Sequence, residues 1–193
     1  MKVIFLDNDG VICLSSNWGS RIKKEKNWML DNSILNDERL KIKERPVGVR
    51  FDDFDKKAIK VLNQIILESG AEIVVSSDWK LYGSLEELGE YYESQGIIKK
   101  PIDVTRNLEE FDPEAASFYG WKNYRAYMRI LEIEKYLGDH PEITSWVAVD
   151  DIDMSPESNE GQGLKNFVLT KYPSEGIKQS GISQKILSYF RSV

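Results

Sequence analysis

Three short polar clusters each close an apolar run, and together they carry residue types suited to phosphoryl transfer. Asp7-Asn8-Asp9-Gly10 follows Val3-Ile4-Phe5-Leu6, Ser76-Ser77-Asp78 follows residues 71–75, and Asp150-Asp151 follows residues 146–149. Asp7 and Asp9 have one residue between them. Where a chain turns out of a strand, one side chain and one backbone carbonyl of such a pair can face the same point. Carboxylates of Asp7, Asp9, Asp150 and Asp151 meeting there would repel one another and raise their pKa values unless a hard cation neutralised them. An oxygen-only donor set without His or Cys suits Mg²⁺, which keeps waters and takes one or two carboxylates plus substrate phosphate. Ser76 offers a hydroxyl to a phosphate oxygen, and Ser77 with nearby backbone amides can add to it. Arg129 and Arg125, one helical turn apart, are the cations that would balance the phosphate charge. Positioning and charge stabilisation supply most of the catalysis of such a reaction, and an aspartate can attack phosphorus to form a phospho-enzyme.

The elements that must position these residues follow from the same pattern. Residues 1–6, 71–75, 146–149 and 167–169 are short apolar runs that fit buried parallel strands. Helical periodicity predicts amphipathic helices over 53–69, with Gly70 as the stop, over 124–137, with Tyr127, Met128, Leu131 and Leu137 on one stripe, and over 182–190. The expected architecture is therefore α/β: a three-layer, doubly wound parallel sheet. Function in such sheets gathers beyond the carboxyl ends of the strands, where all three polar clusters lie. Two stretches exceed what a crossover needs. Residues 14–52 read as a small, mainly helical cap, and residues 79–123, with a helix near 84–94, as a second insert within a single domain spanning 1–193.

Composition narrows the class. A chain of 193 residues with 41% hydrophobic and 30% charged residues can bury a full core, so neither disulfides nor a structural metal is needed to fold it. No apolar run approaches the roughly 18–20 residues of a membrane span, and the four apolar residues before Asp7 are too few for a signal peptide. The single Cys13 has no partner within the chain, and the expected location is cytoplasmic. A net charge of −6 speaks against a protein that coats nucleic acid, because phosphate contacts supply most of that affinity. It leaves open an enzyme that grips one strand end or a phosphorylated small molecule. The basic run Lys23-Lys24-Glu25-Lys26 and residues 41–50 read first as a solvated helix face, or else as a lid over a phosphorylated substrate.

The segment from Val3 to Val11 resembles the first motif of the haloacid dehalogenase (HAD) superfamily, a strand followed by Asp-x-Asp-Gly-Thr/Val. Ser76 is similar to its second motif, Arg129 to its third (more usually Lys, with Arg125 and Lys122 competing) and Asp150-Asp151 to its fourth, in order over about residues 1–170. A narrower likeness lies in Ala71-Glu72-Ile73-Val74-Val75-Ser76-Ser77-Asp78-Trp79-Lys80, in Arg129-Ile130-Leu131-Glu132-Ile133 and in Trp146-Val147-Ala148-Val149-Asp150-Asp151. These resemble the subgroup associated with RNA repair, in which Ser-Ser-x-Trp-Arg follows the second strand and Arg-x-x-Glu-Ile opens a helix. The layout is also similar to that of the 3′-phosphatase domain of polynucleotide kinases. The resemblance implies a HAD-like fold and a Mg²⁺-dependent phosphatase. It implies Asp7 as nucleophile, Asp9 as general acid and base, Ser76, Ser77 and Arg129 around the phosphoryl group, and a metal held by Asp7, the Asp9 carbonyl and Asp151 or Asp150. An Asp at position 9 separates phosphatases from the dehalogenases and phosphonatases of the superfamily. Asn8 departs from the usual apolar residue.

Blander readings account for the remaining signals. Asp-Asn-Asp-Gly alone is an ordinary turn, and it does not open a calcium loop, whose twelfth position would here be Trp18 rather than Glu. Gly161-Gln162-Gly163 has no preceding strand and reads as a loop. His140 has no second His, and Cys13 no His partner. Trp79 and Trp146 read as core, while Trp18, Trp28 and Trp121 fall in the expected inserts, where one can stack on a base. Two other activities compatible with the pattern are a non-catalytic phosphate- or partner-binding domain and a phosphomutase.

Overall fold

Apolar runs that close in polar clusters become the parallel strands of one sheet. A computed structural model describes residues 1–32, 42–108, 113–159 and 161–191, with only the backbone described over 113–123. Its five strands are β1 (Lys2–Leu6), β2 (Glu72–Val75), β3 (Asp103–Val104), β4 (Ser145–Asp150) and β5 (Phe167–Leu169), in the order β3-β2-β1-β4-β5. Every pairing is parallel. The chain is α/β, and its strand order reverses at β1, between β2 and β4. A crevice forms at such a switch point.

The two faces of the sheet are read off alternate residues. Ile4, Leu6, Ile73, Val75, Val147 and Val149 pack against α3 (Lys56–Ser69), α4 (Leu85–Gln95) and α6 (Ile182–Arg191). Val3, Phe5, Val74 and Ala148 face the other way, onto α5 (Pro113–Asp139). The helix ends follow local chemistry. Asp55 caps α3 by accepting from Lys57 N and Ala58 N, and Gly70 ends it in the left-handed region at φ 68°. Ser84 and Glu87 form a capping box at the start of α4.

Three features depart from the sequence reading. Strand β3, two residues long, was not anticipated, because its length gives no alternation to detect. Helix α5 begins at Pro113 rather than 124. Its inward face is also different: Ala126, Ile130, Ile133 and Tyr136 are buried, whereas Tyr127, Met128, Leu131 and Leu137 are only partly so. The observed face brings Arg129 and Glu132 inward with it, two charged residues that a hydrophobic stripe does not count.

Between β1 and α3 the chain forms α1 (Ser20–Asp31), a 3₁₀ turn at Ile42–Glu44 and the short α2 (Val47–Arg50). Helix α1 buries none of its residues. It is tethered at one end, where Asp52 accepts from Gly19 N (3.1 Å) and Arg21 N (2.7 Å) and where Lys24 pairs with Asp53 (2.7 Å). The basic candidates Lys23, Lys24 and Lys26 lie on this helix; Lys41 and the side chains of Trp121 and Lys122 lie outside the described residues. Among the described residues no helix is long and apolar enough to cross a membrane.

Candidate active site

Strand register sets the site. Leu6 pairs with Val75 on one side and with Val149 on the other, so Asp7, Ser76 and Asp150 each stand one residue past the same level. The ladder continues through them, with Asp7 N donating to Val149 O (3.0 Å) and Ser76 N to Leu6 O (2.9 Å). The chain then turns sharply. Asn8 O accepts from the amides of Val11, Ile12 and Cys13, and Gly10 adopts φ 69°, where a Cβ would overlap the Asp151 carboxylate. Glycine is required there both for its backbone and for the space. Asn8, polar where an apolar residue is usual, is fully buried and accepts from the Tyr92 hydroxyl (2.5 Å).

Carboxylate oxygens of Asp7, Asp150 and Asp151 lie within 4.8 Å of one another. One guanidinium reaches into this group. Arg129 Nη1 is 2.7 Å from Asp150 Oδ2 and 3.2 Å from Asp7 Oδ1, while its Nη2 is 3.2 Å from Asp78 Oδ1. Arg125 is exposed and its ion pair among the described residues is with Asp78, so of the two arginines Arg129 is the one at the carboxylates.

Burial dominates the electrostatics. It pushes the Asp7 carboxyl well above the usual range; Arg129 opposes this, and the charges of Asp150, Asp9 and Asp151 add to it. Asp150 is raised by burial against Arg129 and the Ile152 amide, and Asp151 is pushed up to about 6 by burial and by Asp150. Three acids facing one arginine leave two negative charges unbalanced when all are ionised. The donor set is oxygen-only and partly open through Asp151, and so fits a hard divalent cation such as Mg²⁺.

Asp9 is not a member of this carboxylate group. Its Oδ2 accepts from the indole Nε1–H of Trp79 at 2.9 Å. Burial raises its pKa, and the Trp79 N–H is the largest opposing influence. Ser76 is buried, and its Oγ has no hydrogen-bond partner among the described residues. Ser77 is differently employed, capping the 3₁₀ turn Asp78–Leu81 through a long bond from Trp79 N (3.5 Å). A cavity of about 240 Å³ opens beside Asp9, lined by Arg21, Arg50, Asp52, Asp78, Trp79 and Tyr82 among others. A larger hollow of about 680 Å³ at the start of α3 is lined by none of Asp7, Asp9, Asp150 and Asp151.

Two contacts escaped the sequence reading. One is the bond from Trp79 to Asp9. The other is a buried ion pair between Lys80 and Glu132, in which Thr105 bonds both partners (3.0 Å from Lys80 Nζ and 3.3 Å to Glu132). Lys80 ends the Ser-Ser-x-Trp-Lys stretch and Glu132 lies in Arg-x-x-Glu-Ile, so the two stretches lock onto each other. The i, i+3 spacing puts Arg129 and Glu132 on one side of α5, which was the signal available. The minor candidates lie elsewhere: His140 stacks on Tyr136 (4.1 Å) beside Glu142, and the Cys13 thiol is buried with its pKa pushed up by burial. Trp18 is 49% exposed and donates to Cys13 O.

A family model described as the HAD domain in Swiss Army Knife RNA repair proteins matches residues 3–181. No curated protein and no solved structure matches the chain.

Proposed function

This chain belongs to the family of HAD domains found in Swiss Army Knife RNA repair proteins, and we propose that it is a Mg²⁺-dependent phosphatase that hydrolyses a phosphate monoester at a nucleic-acid end. The observation that carries this reading is the meeting of Asp7, Asp150 and Asp151 with Arg129 at the switch point of the sheet. Asp7, Asp150 and Asp151, with the Asp9 carbonyl, would hold the cation. When bound it supplies positive charge against the carboxylates and the phosphate oxygens.

The residues then divide the work. Asp7 attacks phosphorus through a carboxylate oxygen, the bond to the leaving oxygen breaks, and an aspartyl-phosphate forms. Asp9 gives its proton to the leaving oxygen and afterwards takes one from the water that attacks the phospho-enzyme, so that Asp7 is released as a carboxylate. A pKa raised by burial favours the protonated form the first step needs. Arg129 and the Ser76 hydroxyl bind the non-bridging oxygens, and Ser77 shapes the turn that presents them. A buried hydroxyl without a partner is costly unless a ligand completes it.

Residues 14–52 act as the cap of a single domain, with 79–123 as a second insert. The cap places Arg21 beside the cavity at Asp9 and Lys23, Lys24 and Lys26 along α1. Partly exposed Tyr82 lines the same cavity and offers a ring to a base. A cytoplasmic location agrees with a lone, buried cysteine.

The test is phosphate release with Mg²⁺ from 3′-phosphorylated oligoribonucleotides, mononucleotides and sugar phosphates. Release from the oligonucleotides, abolished by EDTA and by Asp7→Asn, is the expected result. Activity that persists in Asp7→Asn overturns the nucleophile, persistence in chelator overturns the metal, and preference for sugar phosphates overturns the substrate class.

A further inference from the structure

The Trp79–Asp9 bond has a chemical consequence for the acid–base step. An indole N–H is a donor only. Trp79 donates to Asp9 Oδ2 at 2.9 Å, which fixes that oxygen and with it the orientation of the carboxyl. The indole itself is held rigidly. It is 6% exposed and lies between Phe51 (ring centroids 4.8 Å apart, planes 13° apart) and Phe54 (5.3 Å, 17°). The phenylalanines flank Asp52 and Asp53, the two residues that tether α1.

We propose that Trp79 is a positioning residue for Asp9: clamped between Phe51 and Phe54, it pins Oδ2 and so holds the carboxyl in the orientation in which it meets the leaving oxygen and then water. The inference rests on the phosphatase reading above. It adds the residue that orients the acid. Trp79 does not touch the phosphate in this scheme, so its loss misaligns the acid without removing nucleophile, cation ligands or Arg129.

The experiment compares kcat/KM of the wild type and Trp79→Phe for p-nitrophenyl phosphate and phenyl phosphate with Mg²⁺. An aromatic ring is kept and the donor removed. Phenolate is the poorer leaving group and depends more on a well-aligned acid. Its kcat/KM is expected to fall at least about tenfold further than that of p-nitrophenyl phosphate, within the range ascribed to general acid catalysis. Equal losses for the two esters overturn the positioning role and leave the phosphatase reading standing. Absence of wild-type turnover with these esters and with the 3′-phosphorylated oligoribonucleotides overturns both. Phe54→Leu keeps the N–H but removes one wall of the clamp; it is read the same way should Trp79→Phe fail to fold, with a smaller selective loss expected and equal losses again refuting. In ¹H–¹⁵N spectra of the folded protein, Asp9→Asn is expected to move one indole N–H resonance well beyond the others, and no such movement overturns the bond itself.

Discussion

Asp7→Asn is expected to make the metal-free protein more stable while abolishing its activity. Asp7 lies within 4.8 Å of carboxylate oxygens on Asp150 and Asp151. At an effective dielectric of about 20, a like-charge pair at that outer limit costs about 3.5 kcal/mol, so the two together cost roughly 7 or more. Arg129 at 3.2 Å returns about 5 kcal/mol on the same scale. Coulomb terms alone thus leave Asp7 unfavourable by about 2 kcal/mol, and burial adds to that. Partial protonation relieves some of the strain, because the Asp7 pKa is raised. A net gain of about 2 kcal/mol is therefore expected on substitution. The amide nearly matches the carboxylate in shape and can turn its oxygen to Arg129 and its NH₂ to the acids. Arg129 keeps Asp150 at 2.7 Å and Asp78 at 3.2 Å, so no charge is orphaned.

For a chain of this size the gain corresponds to a melting temperature roughly 5 °C higher. The assay is thermal unfolding at pH 7.5 in EDTA and again with Mg²⁺. Cation at about ten times its dissociation constant adds roughly 1.4 kcal/mol to the wild type, whereas Asp7→Asn, lacking a ligand, gains little. A variant that melts below the wild type in EDTA would refute the charge-crowding reasoning. An equal Mg²⁺ shift in both proteins would remove Asp7 from the cation site.

The remaining expectations are quickly tested. Asp151 titrates near 6 in the folded chain, above its unfolded value, so its penalty is absent below pH 4 and complete above 6. The metal-free protein should therefore lose stability as pH rises from 4 to 6, by about 1–2 kcal/mol after allowing for partial exposure. Stability in EDTA that rises through this window once other acids are matched by an Asp151→Asn control would contradict it. Ser76→Ala removes an unpartnered buried hydroxyl, so denaturant unfolding should show a gain of about 1 kcal/mol while phosphate release falls; a clear loss of stability would mean the hydroxyl is satisfied. Glu132→Gln leaves the Lys80 ammonium uncompensated in a buried site and should destabilise by about 3 kcal/mol in urea, with a loss under 1 kcal/mol telling against the pair.

Much of the fold is legible because its code is local. A strand covered on both faces is a continuous apolar run, and Val3 to Leu6 shows it within four residues. Asp55 and Gly70 bracket α3 by chemistry that acts within one turn. Other elements give weaker local cues. Strand β3 is held by its pairing of Asp103 with Val74 and Val104 with Val75, not by any pattern of its own. The buried face of α5 includes Arg129 and Glu132, whose burial is made tolerable by Asp7, Asp150 and Lys80, all far away in the chain.

The sequence by itself determined that carboxylates and hydroxyls stand at strand ends, because strand polarity and turn chemistry are written in adjacent residues. Tertiary structure decided their partnerships. Parallel register set Asp7, Ser76 and Asp150 level, packing of α5 chose Arg129 over Arg125, and the aromatic clamp brought Trp79 onto an acid seventy positions away. Such contacts depend on the relative placement of whole elements, which periodicity within one element does not encode.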